Sequence, residues 1–133
     1  MSNNFDLDGF EQIGHNANII DFIKGEQIKG IYYNCGRKYL KDKDGNPIKD
    51  NFTKGDSWGH LVLNSETGEF HLLPQQKAYT SILDGDTELG AKLYKIMFKG
   101  TVVMPNGNRY NEYNIGVKQA ATPLTPAQMT VIN

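Results

Sequence analysis

The order of elements in the second half of the chain constrains the fold more than any other feature. Glu69 to Leu73 reads as a short strand running into Pro74, and Gln75 to Leu83 carries Ala78, Tyr79, Ile82 and Leu83 at helical spacing. Lys92 to Met104 then alternates. Tyr94, Ile96, Phe98, Gly100 and Val102 fall on one face, and Lys95, Met97, Lys99 and Thr101 on the other. This pattern marks a half-buried strand with one apolar and one basic face. Asn106-Gly107 is the strongest short hairpin signal, and Arg109 to Lys118 follows it as a last strand. Strand, helix, strand, hairpin, strand is the order of a five-stranded Greek-key barrel with its helix between strands three and four.

The first half supplies the strands that this order requires. Gly25 to Leu40 is the first main strand, weighted by Ile28, Ile31, Tyr32, Tyr33 and Tyr39. Its alternation slips near Gly30, which predicts a bulge or sharp bend there. Lys41 to Asp56 is a polar excursion around the turn signal Asp44-Gly45-Asn46-Pro47. At about sixteen residues it is long for a plain loop. It is expected either to form its own small hairpin, with Ile48 and Phe52 packing, or to be a mobile functional loop. Trp58 to Asn64 is the second strand, joined to the third by Ser65-Glu66-Thr67-Gly68. Ile19 to Ile23 reads as a short strand or as the lead-in to the first long one. The expected fold is all-β with one short helix. Its divisions are an N-terminal arm over 1–18, one barrel domain over 19–119, and a tail over 120–133 containing Pro123 and Pro126.

Composition narrows the function classes. The 133 residues fit one domain. Formal net charge is −1, whereas a dedicated duplex binder carries a clear basic excess. Nucleic-acid binding therefore requires positive charge gathered on one face. Cys35 is the single cysteine, so no internal disulfide forms. The start, Met1-Ser2-Asn3-Asn4-Phe5-Asp6, lacks the basic and apolar regions of a signal peptide. No apolar run approaches the roughly 18 residues of a membrane span. A cytoplasmic setting, that of a host cell if the chain is viral, is expected, with no membrane partner.

No catalytic or metal-binding pattern stands out. His15, His60, His71 and Cys35 lack a metal-ligand spacing. Asp42-Lys43-Asp44-Gly45-Asn46 has its glycine misplaced for a calcium loop, and Thr53 stands where a bidentate glutamate is needed. Phosphate-binding loops, nucleophile elbows and His-anchored triads are missing too. The expectation is a non-enzyme without cofactor or metal.

Three segments carry a family resemblance. They are Leu72-Leu73-Pro74-Gln75-Gln76-Lys77, then Leu89-Gly90-Ala91-Lys92-Leu93-Tyr94-Lys95-Ile96-Met97-Phe98-Lys99-Gly100, then Asn106-Gly107-Asn108-Arg109-Tyr110-Asn111-Glu112-Tyr113. Together they resemble the single-stranded-DNA-binding proteins with an oligonucleotide-binding (OB) barrel found in phages and mobile elements, over Gly25 to Lys118. The resemblance implies single-stranded DNA as the ligand, a role in phage or plasmid replication or recombination, and proteins of those processes as partners. The chain departs from the bacterial housekeeping members, whose acidic tail ends in an aromatic residue. It closes with Ala127-Gln128-Met129-Thr130-Val131-Ile132-Asn133 instead. Recruitment of replication enzymes through such a tail is not expected.

Single-strand binding needs aromatic faces for bases and cations for phosphates. The candidate rings are Tyr32, Tyr33, Tyr39, Trp58 and Phe70, with His60 sharing a strand face with Trp58. Trp58, at the mouth of the long loop, is the preferred stacker. The candidate cations are Arg37, Lys38, Lys41, Lys43 and Lys54 around that loop, and Lys95, Lys99 and Arg109 on the last hairpin. Each ring has a place in the core as its alternative, and each cation a solvated rim. Asp42, Asp44 and Asp50 partly cancel the first basic cluster. Two other classes stay open. One is a protein-interaction module on the same barrel, such as a phage factor that binds a host protein, which the near-neutral charge favours. The other is an assembly component that exchanges its arm and tail between subunits. Homo-oligomers formed through arms or edge strands fit all three.

Overall fold

The computed structural model describes residues 20–50 and 53–131. The arm expected over 1–18 lies outside the described residues, as does Phe52. Among the described residues, six strands form one mixed sheet in the order β1-β4-β3-β2-β5-β6. They are β1 (Ile20–Phe22), β2 (Lys29–Tyr39), β3 (Trp58–Asn64), β4 (Phe70–Leu73), β5 (Lys92–Val103) and β6 (Arg109–Gln119). One short helix, α1 (Thr80–Asp84), follows β4. β1 runs parallel to β4, and every other pairing is antiparallel. Among the described residues no helix is long and apolar enough to cross a membrane.

The mostly β fold with one short helix is as expected, whereas the closed five-stranded barrel is not shown. The sheet is open, with β1 at one edge and β6 at the other. β4 shows why. It is only four residues long, and Phe70, His71 and Leu72 already pair with β1 on one side while β3 takes the other. Almost no β4 edge is left for β6 to seal.

Both faces of the central strands are covered. Period-two alternation sends Tyr32, Val62, Leu73, Tyr94 and Ile96 to one face, where Ile28, Tyr79 and Leu83 join them. It sends Tyr33, Leu61, Leu63, Phe70 and Leu72 to the other, where Ala120 and Leu124 join them, with Met129 and Val131 packed alongside. Residues 120–131, within the segment read as a tail, thus contribute to the second core. Among the described residues, three hydrogen bonds tie them down. The Ala120 N–H donates to Ala91 O and the Leu124 N–H to Gly90 O, both at 2.9 Å, and the Tyr33 hydroxyl donates to Thr122 O at 2.9 Å. At Gly90, φ is +80° and a Cβ would stand 2.8 Å from Met129 Sδ, so only glycine suits this crossing.

Local details differ from the sequence reading in instructive ways. The β2–β5 register passes through Gly30 without a break, and the shift in β2 falls between Asn34 and Arg37 instead. Gly30 is small because the Tyr32 ring lies over it, 2.7 Å from where a Cβ would be. In β5 the pairing slips past Phe98, making Lys99 an inserted residue and ending the single-face run expected to continue through Gly100 and Val102. The long loop does form a small antiparallel extension, with bridges Lys41–Pro47 and Lys49–Asp56. Asp42 Oδ1 accepts the N–H groups of Asp44 and Asn46, each at 2.9 Å, which is a turn and not an ion cage. Ile48 is exposed, contrary to the expectation that it packs. The helix begins five residues later than expected, after a bend held by the Tyr79 hydroxyl donating to Pro74 O at 2.5 Å and the Gln76 N–H donating to Thr80 Oγ1 at 2.8 Å.

Candidate nucleic-acid interface

The residues proposed from sequence divide into three groups. The first is buried. Tyr32 is 2% exposed and Phe70 1%, while Tyr33 lies under the tail segment. None of these three rings offers a face to a base, because both sides of the sheet here are covered. His60 is buried as well. Its ring stands edge-on to Trp58 and to Tyr79, with Nε2 2.9 Å from Thr80 Oγ1. Desolvation pushes its pKa down to about 4, so the ring is neutral near pH 7 and unsuited to holding phosphate.

The second group forms a self-contained stack at the far end of β2 and β3. The register shift in β2 turns Arg37 toward α1. Its guanidinium forks onto Asp84, with Nε to Oδ1 at 2.9 Å and Nη2 to Oδ2 at 2.6 Å. Nη1 donates to the Tyr39 hydroxyl at 3.1 Å, and Cζ lies 3.9 Å from the Trp58 ring centroid. Hydrogen bonds from Arg37 hold the Asp84 carboxyl below the usual carboxylate range. One face of the preferred stacker is thus already occupied by a cation that commits three N–H donors to Asp84 and Tyr39. Beside the stack, Lys38 lines an open hollow of about 640 Å³ together with Lys41, Lys43 and Asp42. Lys54 is exposed on the long loop, and Lys95 is exposed beside Met97 in a smaller depression on β5 and β6.

The third group converges. Lys99 and Arg109 line an open cleft of about 770 Å³ between β6 and the segment Gln76–Ala78. Lys77, Tyr110 and Tyr113 share it, and among the described residues Glu112 is the one acid on its wall. Among the described residues, Lys77, Lys99 and Arg109 form no ion pair. Each element contributes for a local reason. The inserted position in β5 brings Lys99 into the cleft lining, the Asn106-Gly107 turn sets Arg109 at the start of β6, and the bend after Pro74 brings Lys77 across. Tyr113 forms part of the lining and is fixed there. Its ring is edge-on to Tyr79 at 5.3 Å and to Phe98 at 5.6 Å, and its hydroxyl donates to Gly25 O at 3.3 Å. Tyr110 is 45% exposed and makes no ring–ring contact among the described residues.

The sequence reading included Lys99 and Arg109 but missed Lys77, Tyr110 and Tyr113 as site residues. The available signal was the pair of tyrosines three apart just after the hairpin turn. It was outweighed by the density of rings in the earlier strands, of which Tyr32, Tyr33 and Phe70 are core. Among the described residues, no group of His, Cys, Asp or Glu is arranged to hold a metal ion. Cys35 is half-buried, and desolvation pushes its thiol up to about 12. In comparisons with known proteins, the chain matches no family model, no curated protein and no solved structure.

Proposed function

We propose that this chain binds unpaired nucleic-acid strands, single-stranded DNA in the first instance, through the cleft between β6 and Gln76–Ala78. The observation that carries this reading is the gathering of Lys77, Lys99 and Arg109 around Tyr110 and Tyr113, with no ion pair among the described residues to quench the cations. Phosphates would lie against the three cations and a base against the open face of Tyr110. Stacking of this kind is worth about 1–3 kcal/mol per base and tolerates any sequence. Duplex bases keep their faces hidden, so the same cleft favours single strands. The role is stoichiometric coating, without catalysis. The sheet is read as an oligonucleotide-binding barrel left open along the β6 side. The setting is replication or recombination of phage or plasmid DNA in the cytoplasm, as the resemblance of Leu72–Lys77, Leu89–Gly100 and Asn106–Tyr113 suggests. The hollow lined by Lys38, Lys41 and Lys43 is a second contact surface for a longer strand.

Fluorescence anisotropy with labelled oligo-dT tests the reading. Binding at low ionic strength is expected, weakening linearly in log salt as counterions are released. Duplex of the same length should bind more weakly. No association with oligo-dT at low ionic strength would end the proposal. The rival that the formal charge of −1 favours, a protein-interaction module on the same sheet, would then take its place.

A further inference from the structure

One corner of the cleft carries a second inference, about what a bound base shows to the protein. Gln76 enters the cleft from a rigid turn. Its N–H donates to Thr80 Oγ1 at 2.8 Å, and its carbonyl accepts the N–H groups of Tyr79 at 3.2 Å and Thr80 at 2.9 Å. Thr80 Oγ1 lies 2.9 Å from Nε2 of the buried His60, which ties the turn to β3. The neighbouring polar side chains are committed to the protein. Gln75 Nε2 donates to Trp58 O at 3.1 Å, Asn111 Oδ1 accepts the Thr101 hydroxyl at 2.9 Å, and the Tyr113 hydroxyl donates to Gly25 O at 3.3 Å. Gln76 differs. It is half-buried, yet its carboxamide makes no hydrogen bond among the described residues. Gln76 Nε2, Asn111 Nδ2 and the Tyr113 hydroxyl all lie within 3.6 Å of the point where a Cβ on Gly25 would stand. Glycine at that position leaves the corner clear.

We infer that Gln76 reads the Watson–Crick edge of the base that stacks on Tyr110, so that the cleft recognises a base by its unpaired edge as well as by its face. The inference rests on strand binding in this cleft. Tyr110 and Gln76 line the same space, one offering a ring and the other a hydrogen-bonding edge. A carboxamide sets a donor beside an acceptor, whereas lysine and arginine offer donors alone. On the Watson–Crick edge, adenine and cytosine each show an amino N–H beside a ring-nitrogen acceptor. Thymine and guanine each show a ring N–H beside a carbonyl. The Gln76 amide matches any of the four by turning over, because no hydrogen bond among the described residues fixes which way it faces. The contact therefore tolerates sequence, as stacking does. In a duplex the opposite strand consumes that edge, so only an unpaired base can make the bond. Edge and face together thus select single strands twice over.

Anisotropy with two labelled strands of equal length, oligo-dT and oligo-N3-methylthymidine, tests this. The methyl group removes the N3–H donor and leaves the ring face and the phosphates in place. The wild-type protein should bind the methylated strand about tenfold more weakly. Gln76→Met keeps the length of the side chain and removes its polar atoms. It should bind oligo-dT about tenfold more weakly and hold the two strands equally. Gln75→Met, an exposed position whose amide bonds to Trp58 O, should discriminate between the strands as the wild type does. Circular dichroism checks that the three proteins are equally folded. Oligo-dT binding that is indifferent to methylation, which needs no variant to observe, would overturn the inference and leave strand binding standing. Discrimination that survives in Gln76→Met, or that is lost in Gln75→Met, would do the same. No binding of either strand would overturn the inference and the cleft together.

Discussion

The guanidinium carbon of Arg37 lies 3.9 Å from the centre of the Trp58 ring. Trp58 is the only tryptophan, so its fluorescence reports on this stack alone. Arg37→Ala is expected to uncover one face of the indole and raise its quenching by acrylamide. The ion pair with Asp84 is more than a third exposed on both sides, so the accompanying loss of stability should be small, about 1 kcal/mol or less. An unchanged quenching constant would show that the stack is not kept in solution.

His60 makes stability depend on pH. Its pKa in the fold is pushed down to about 4 by burial, against an ordinary value of 6.5 in the unfolded chain. Between these two values the unfolded state binds the extra proton, so stability rises with pH across that window. Unfolding in urea at a series of pH values should show on the order of 3 kcal/mol lost as pH falls from about 6.5 to about 4. His60→Gln should flatten that slope. A slope that persists in the variant would assign the effect to other groups.

The cleft predicts a division among basic residues. Lys99→Gln and Arg109→Gln should each weaken oligo-dT binding several-fold and reduce the slope of log affinity against log salt by about 1. Lys54→Gln, a change on the exposed long loop outside the cleft, should leave both unchanged. Equal effects at all three positions would point to diffuse attraction without a defined path.

The two cleft tyrosines should separate in the same assay. Tyr110→Ala is expected to cost binding about 1–2 kcal/mol with the melting temperature unmoved. Tyr113→Ala should lower the melting temperature as well, because its ring packs on Tyr79 and Phe98. A large thermal loss in Tyr110→Ala would reassign that ring to structure.

The segment over the second core should behave as part of the fold. Leu124 is buried against the sheet, and Leu124→Ala should destabilise by about 2 kcal/mol in chemical denaturation. Gly90→Ala should cost about 1–2 kcal/mol, because it forces a side chain into a left-handed conformation against Met129. Wild-type stability in both variants would mean that residues 120–131 are not held against the sheet.

Strand positions were legible in the sequence because each depends on local chemistry. Asn106-Gly107 specifies its own turn, and the alternation from Lys92 to Phe98 specifies its own faces. Trp58 to Asn64 was read with the same bounds that the structure shows. What covers each face was not legible. Tyr32 and Tyr33 are adjacent and point to opposite sides, and either side could have been open to a ligand. Residues 120–131 decide the matter through Ala120, Leu124, Met129 and Val131, whose spacing follows neither a helical nor a strand period. Closure of the barrel was illegible for a similar reason. It depends on β1, three residues whose sequence Ile20-Asp21-Phe22 says nothing about which edge they will take.

β2 sits between β3 and β5 and sends Tyr32 into one core and Tyr33 into the other. No opening of the hairpin tip, the long loop or the 120–131 segment by itself exposes its amides to solvent. Deuterium should therefore enter β2 last, and only by unfolding of the whole domain, while the Asn106–Asn108 turn exchanges freely.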